Sequence, residues 1–337
     1  NSRVDGLEAR FNNFEAGSFS ETTTASFSAD MYIGAVNGNG VTTTVTDGDE
    51  AIEAYYGFQI DLNTSFTGED SLDISLDAGN GSGSLSEVGG GIVSGNGTEA
   101  LTVDGVTYTF PVGEKVTAFV GDNTDGSLLY STACVYGGPG DTLDDCGAAS
   151  AALGSGAGSA IGASYDIGNG FAAAVGYTGN GGNAGLLTAE GDDAFGVQLS
   201  YAADSYGASV SYANIETVGV DTTYWALNGY YTPSEAAGLP SISVGFESGD
   251  PETAGAEDTS QYFVGLQWDE MGPGTLGVAM GTDGAFADNV DEFFVYEAFY
   301  SYPVNDGMTI TPYIYLREQN AVNTDDTGIA VVTSFSF

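Results

Sequence analysis

The residues in this sequence that could do chemistry are mostly carboxylates. The stretch from Asp122 to Gly156 carries Asp122, Asp125, Asp141, Asp144 and Asp145 around two cysteines, Cys134 and Cys146. Neighbouring acids such as Asp144 with Asp145, or Asp192 with Asp193, could serve glycoside hydrolysis, which needs two carboxyls at a set separation and one with a raised pKa. With 47 Asp and Glu in the chain, such pairs arise by chance, so pairing alone argues no enzyme. Acidic runs such as Asp47-Gly48-Asp49-Glu50 could hold Ca²⁺ or Mg²⁺ loosely through oxygen ligands, although their spacing matches no EF-hand. No other cofactor is implied, and which residues would ligate a metal stays open. A third use of clustered carboxylates is to favour cations over anions in a narrow passage. For the cysteines, zinc would need more ligands and the chain has no His, so a loop disulfide formed in an oxidising compartment is the better reading.

Charge removes other classes. Lys and Arg total 4, and the formal net charge is -43. Nucleic-acid binding needs clustered cations and is excluded, as are His-based catalysis and His metal sites. An acidic chain with 20 Tyr and 18 Phe is no disordered tail. There is no run of about 18 apolar residues, so no transmembrane helix is expected, which leaves membrane-crossing strands open. The sequence begins at Asn1 without Met or signal peptide, and a mature or trimmed product is expected.

The elements that must position these acids are β-strands. Phe27, Ala29, Met31, Ile33 and Ala35 alternate with Ser26, Ser28, Asp30 and Tyr32, and the final stretch alternates Ile329, Val331, Thr333, Phe335 and Phe337 with small residues. Period-two patterns of this kind need one apolar and one wet environment. Continuing along the chain, they predict about sixteen strands of a length that crosses a bilayer when tilted. Connections alternate long and short: Asn37 to Glu50, Asn80 to Gly97, Asp122 to Gly156, Gly179 to Asp193, Asn214 to Asp221, Ser248 to Ser260, Asp283 to Asp291 and Arg317 to Asp326 are long, and turns such as Gly168-Asn169-Gly170 are short. Two-sided sorting of loops is a property of membrane barrels; a β-sandwich, the competing fold, has no reason for it. The expected architecture is an all-β, 16-stranded antiparallel transmembrane barrel over 23–337, preceded by a short helix or linker in 1–22. Asp30, Glu53, Asp61, Asp73, Asp77, Lys115, Glu297 and Arg317 are expected to face the lumen, and aromatics such as Tyr201, Tyr212, Trp225 and Trp268 the lipid boundary.

Four segments carry a resemblance: Arg3-Val4-Asp5-Gly6-Leu7-Glu8-Ala9-Arg10-Phe11, Tyr108-Thr109-Phe110-Pro111-Val112-Gly113-Glu114-Lys115-Val116, Ala133-Cys134-Val135-Tyr136-Gly137, and the aromatic end. They resemble the cyanobacterial outer-membrane porins related to carbohydrate-selective porins, over nearly the whole chain. The resemblance implies a barrel in the cell outer membrane, partnered by lipid and by two further copies in a homotrimer, passing small solutes and ions. In that family an S-layer-homology domain usually precedes the helix; these residues do not include it. In sixteen-stranded porins the third long loop folds inward, which here would bring Asp122, Asp125, Asp141, Asp144 and Asp145 to a constriction stiffened by Cys134–Cys146. The sugar-selective branch uses basic residues along its channel, and beyond the leading segment this chain has only Lys115 and Arg317. The expected activity is therefore passive, cation-preferring diffusion of inorganic ions and small hydrophilic nutrients. A sugar-selective channel of the same fold and a soluble acidic β-rich surface adhesin are the alternatives.

Overall fold

A computed structural model describes residues 22–37, 52–81, 85, 99–153, 158–182, 185–188, 191–217, 220–234, 238–318 and 325–337. The expected N-terminal helix and the Asp47–Glu50 cluster lie outside these residues. Among the described residues there is no helix. The strands are β1 (Thr23–Asn37), β2 (Glu53–Thr64), β3 (Ser71–Gly79), β4 (Thr102–Val112), β5 (Val116–Thr124), β6 (Gly158–Gly168), β7 (Phe171–Gly179) and β8 (Asp193–Ala202). They continue as β9 (Tyr206–Thr217), β10 (Val220–Tyr231), β11 (Ser241–Pro251), β12 (Thr259–Met271), β13 (Gly274–Thr282), the two-residue β14 (Phe286–Ala287), β15 (Phe294–Asn305), β16 (Met308–Arg317) and β17 (Asp326–Ser336).

Each long strand pairs antiparallel with its chain neighbours, and β17 pairs with β1 from Ser28↔Ser336 to Asn37↔Thr327. The sheet is thereby a closed 16-stranded barrel, with β14 a short addition beside β12 in the loop after β13. Closure satisfies every edge, the condition for strands to survive in hydrocarbon. Phe27 and Phe337 seal the seam by exchanging backbone hydrogen bonds of 2.9 and 3.0 Å and stacking their rings at 5.7 Å.

Side chains sort by parity as the alternation requires. Met31 and Ile33 are 56% and 52% exposed, whereas Tyr32 between them is 2% exposed. In β8, Val197 and Leu199 are exposed and Gln198 is buried. The outer surface is thus an apolar band, with aromatic pairs at strand ends, such as Phe171–Tyr201 at 4.6 Å, and at mid-strand, such as Tyr212–Trp225 at 4.9 Å. The main buried cluster lies inside the barrel and unites Tyr32, Val36, Val295, Phe299, Tyr313 and Val332 of the wall with Tyr136 and Leu143 of the loop after β5 and Leu85 of the loop after β3.

The turns follow local chemistry. Gly168, Asn169 and Gly170 all have positive φ (96°, 56° and 85°), which glycine and asparagine tolerate. Between β2 and β3, Asp70 accepts the Phe66 and Thr67 N–H groups and the Ser65, Thr67 and Tyr108 hydroxyls, which hold its carboxyl well below the usual range.

One expectation fails. The stretch Asn214 to Asp221 is a hairpin, because Thr217 pairs with Val220 and leaves only residues 218 and 219 between β9 and β10. The next connection, 232–240, is expected to be short and is the longer of the two. β-branched residues at Ile215, Thr217, Val220, Thr222 and Thr223 extend the ladder past the turn signal.

The outward row gives a direct test. Val197→Arg should cost about 2 to 4 kcal/mol in reversible urea unfolding from lipid vesicles, while Ser28→Arg, on the lumenal row beside Asp30, should not.

Candidate functional site: the inward loop and its acids

The loop between β5 and β6 leaves the wall at a built irregularity. The β5–β6 register shifts between Gly121 and Thr124, and Asn123 takes φ 53° with its side-chain amide donating to the Val103 and Asp104 carbonyls (3.0 and 2.6 Å). Asparagine tolerates this left-handed conformation. The chain then turns inward, where the Gly126 N–H donates to Thr178 Oγ1 of β7 at 2.5 Å.

From there the loop crosses the inner faces of distant strands. Its N–H groups at alternate residues donate to the wall: Ser131 to Gln198 Oε1 (2.6 Å), Ala133 to Ser209 Oγ (2.9 Å), Val135 to Ser243 Oγ (3.0 Å) and Gly137 to Gln267 Oε1 (3.0 Å). An extended segment presents its N–H groups to one side at every second residue, so strands β8, β9, β11 and β12 supply acceptors in sequence. At the far wall, the Tyr136 hydroxyl donates to Glu297 Oε1 and the Tyr313 hydroxyl to Oε2 at 3.0 Å. Burial and the neighbouring carboxylate push the Tyr136 pKa upward, which keeps its phenol a donor. On the return path, Asn228 Nδ2 donates to the Cys146 carbonyl (2.8 Å) and the Ala151 N–H to Glu247 Oε2 (2.6 Å). Cys134 and Cys146 are disulfide-bonded with Cα atoms 6.4 Å apart.

Glycines let the loop sit this close. A Cβ on Gly138 or Gly140 would lie 2.0 Å from the Glu297 carboxylate oxygens, and one on the wall residue Gly245 would lie 1.7 Å from the Cys146 carbonyl oxygen. The Cys146 carbonyl is backbone and cannot swing aside.

The expected constriction residues do not form one group. Asp141, Asp144 and Asp145 have exposed side chains, whereas Leu143 and Cys146 among them are buried against the wall. Water reaches these three acids, yet protein encloses them on most sides. Loss of bulk solvent and the charges of Asp145 and Asp141 push Asp144 up to about 7. Asp145 is raised by the same desolvation and by Asp141 and Asp125; Asp141 is raised too, against the opposing pull of Arg317. Asp125 stands at the loop's first turn, its carbonyl accepting the Leu128 N–H. Beside it a cavity of about 660 Å³ opens toward Asp73 and Asp104 on the inner wall of β3 and β4. Asp122 is elsewhere: it occupies the β5 row of Val120, which faces outward, and accepts the Ser159 hydroxyl at 2.6 Å.

The lumenal set divides similarly. Asp30 shares the inward row of Tyr32. Glu53 accepts the Tyr55 hydroxyl (2.5 Å), Asp61 the Gln59 amide and Ser75 hydroxyl (2.7 and 2.6 Å), Asp73 the Asn63 amide and Ser71 hydroxyl (2.5 and 2.7 Å), and Asp77 the Thr102 hydroxyl (2.6 Å). Glu297 is buried beneath the loop and serves as its seat. Arg317 is bonded to Asp283 through two nitrogens. Lys115 lies in the short β4–β5 turn, with Nζ 5.8 Å from the ring centre of Tyr165, and lines a cavity of about 280 Å³ with Thr117, Ser131, Gln198 and Ser200.

The seat itself, Gln198, Ser209, Asn228, Ser243, Glu247 and Gln267, is absent from the expected site. Its signal was present, since the inward rows change from acidic in β2 and β3 to neutral polar in β8 to β11.

No protein-family model and no curated protein matches the chain. Solved structures do match. OprB of Pseudomonas putida, in its high-pH structure, aligns over 99% of this chain and 97% of its own at TM-score 0.63 and 10% identity. The anion-selective porin from Comamonas acidovorans aligns over 94% and 99% at TM-score 0.64 and 14% identity. The chain has the porin fold. A loop-deletion mutant of OmpT, an outer membrane protein of Vibrio cholerae, aligns over 94% and 100% at TM-score 0.60 and 12% identity. The closed barrel, its apolar outer band and these neighbours are consistent with an outer-membrane location.

Seating can be tested without assuming transport. Gly245→Val should overpack the wall at a cost of about 1 to 3 kcal/mol and expel the loop, so that limited proteolysis cuts between 126 and 153 where the unaltered protein resists. Tyr136→Phe, which removes one donor from a buried carboxyl, should cost about 1 to 3 kcal/mol in the same unfolding measurement.

Proposed function

We propose that this chain is an outer-membrane diffusion channel of the cyanobacterial porin type, working as a homotrimer and passing inorganic ions and small hydrophilic nutrients down their gradients, with cations preferred over anions. The observation that carries this reading is the placement of Asp141, Asp144 and Asp145. They are exposed on a loop pressed against the inner faces of β8 to β16, while Asp30, Asp61 and Asp73 stand on the inner faces of β1 to β3. Carboxylates on both sides of a water-filled passage lower the energy of a cation and raise that of an anion. Sixteen closed strands leave room for such a passage beside the loop. The porin fold favours a channel over an enzyme, and an apolar outer band argues against a soluble adhesin.

The fold does not itself set the sign of selectivity, because one structural neighbour is described as anion-selective. The side chains must do so, and here they include 47 acids against 4 cations.

The zero-current potential of the purified protein in a planar bilayer under a KCl gradient should be that of a cation-selective channel. An anion-selective potential would overturn the charge argument, and absence of conductance the channel itself. The Asp144 carboxyl, raised to about 7, is neutral below that pH and charged above it. Cation preference should therefore climb between about pH 6 and about pH 8, and Asp144→Asn should flatten that rise.

A further inference from the structure

The barrel sequence, 23–337, contains one guanidinium, that of Arg317. It lies at the end of β16, on the inward row of Tyr313 and Tyr315, both 2% exposed. Its charge reaches the loop, since it opposes the rise in the Asp141 pKa. A cation in that position would repel permeating cations and attract anions, against the sense of every exposed acid around it.

Asp283 opposes this with a charge of the other sign. It follows β13 directly and reaches across the intervening strand β15 to bind Arg317 in the two-point geometry that planar guanidinium and carboxylate groups share, Nε to Oδ2 at 2.8 Å and Nη2 to Oδ1 at 2.5 Å. The pair is partly accessible, with side chains 28% and 20% exposed, so its net charge is felt by ions in the lumen. Asp283 is itself held in place, because its N–H donates to the Phe293 carbonyl at 2.8 Å. Asp326 of β17 stands opposite Arg317 in register, which adds a second acid to the same neighbourhood.

We propose that Asp283 is a specificity-determining residue: by pairing with Arg317 it cancels the barrel's lone guanidinium and keeps the passage beside Asp141 negative throughout. The inference rests on the cation-channel reading above and adds to it the residue that protects selectivity from the chain's own cation.

The test compares four proteins in planar bilayers under a KCl gradient: the unaltered chain, Asp283→Asn, Arg317→Gln and the double variant. Asp283→Asn removes one negative charge from beside the Arg317 guanidinium and should lower the cation-to-anion permeability ratio by about threefold, the effect of one unit charge a few ångströms from a hydrated ion. Arg317→Gln should raise the ratio or leave it unchanged. The double variant, with no net charge difference from the unaltered chain, should restore its ratio. That restoration separates charge from disorder, because a loop that simply loosens without Asp283 would stay loose in the double variant and keep the low ratio. Equal ratios in all four proteins, or a double variant as low as Asp283→Asn, would overturn this inference and leave the cation channel standing. An unaltered chain without conductance would overturn both.

Discussion

The structure depends on satisfying the backbone of a loop that lies inside a barrel. Such a segment gives up much of its contact with water, and each N–H left without an acceptor would cost roughly what a lost buried hydrogen bond costs. The inner wall answers with Gln198, Ser209, Ser243 and Gln267, which accept from the loop at every second residue. Because the acceptors are side chains on several strands, the closed ladder that fixes those strands also fixes the loop. The close fit of Gly245 beneath the Cys146 carbonyl leaves no room to slide. The disulfide then restrains the 134–146 segment within a path that hydrogen bonds already define.

This seat accounts for the distribution of charge. A wall covered by the loop cannot keep hydrated carboxylates, so its inward rows carry mostly neutral polar groups. Glu247 and Glu297 are the acids it retains, 0% and 4% exposed, and both accept bonds from the loop or its neighbours. A buried carboxyl is tolerated when such donors surround it. Where the inner faces of β1 to β3 lie outside the buried cluster they have no such restriction, and Asp30, Asp61 and Asp73 there are half-buried within reach of water, whereas Asp77 is buried and accepts the Thr102 hydroxyl. Segregation of acids to the open side is therefore a packing consequence as well as an electrostatic device.

Much of the architecture was legible because alternation is a local signal. Met31 and Ile33 against Tyr32 reveal a two-faced strand, and a barrel repeats that signal in each long strand. Alternation states which face a residue takes and nothing about what covers that face. Glu297 and Asp73 have the same inward parity, yet one lies beneath the loop and the other faces the open lumen. Asp122 differs from expectation for a related reason: its polar neighbours suggest a loop, whereas β5 continues to Thr124 and places it on the Val120 row. At Asn214–Asp221, polar turn-forming residues pointed to a loop, and ladder hydrogen bonds between β9 and β10 prevailed over them.

One porin-fold neighbour, 14% identical, is described as anion-selective, and a fold does not by itself carry an ion preference. The reason is physical. Closure, tilt and strand number are set by backbone pairing and by an outward row that meets lipid, and neither depends on the sign of charge inside. The lumenal side chains are free to vary provided the loop keeps its acceptors. In this chain the freedom is used in one direction, with acids on the open wall and on the loop's exposed side, and with Arg317 held against Asp283. A passage lined by acids does not require a cation at this position. The Arg317–Asp283 pair instead joins the outer ends of β13 and β16 across β15, which gives the guanidinium a structural use while its charge is cancelled.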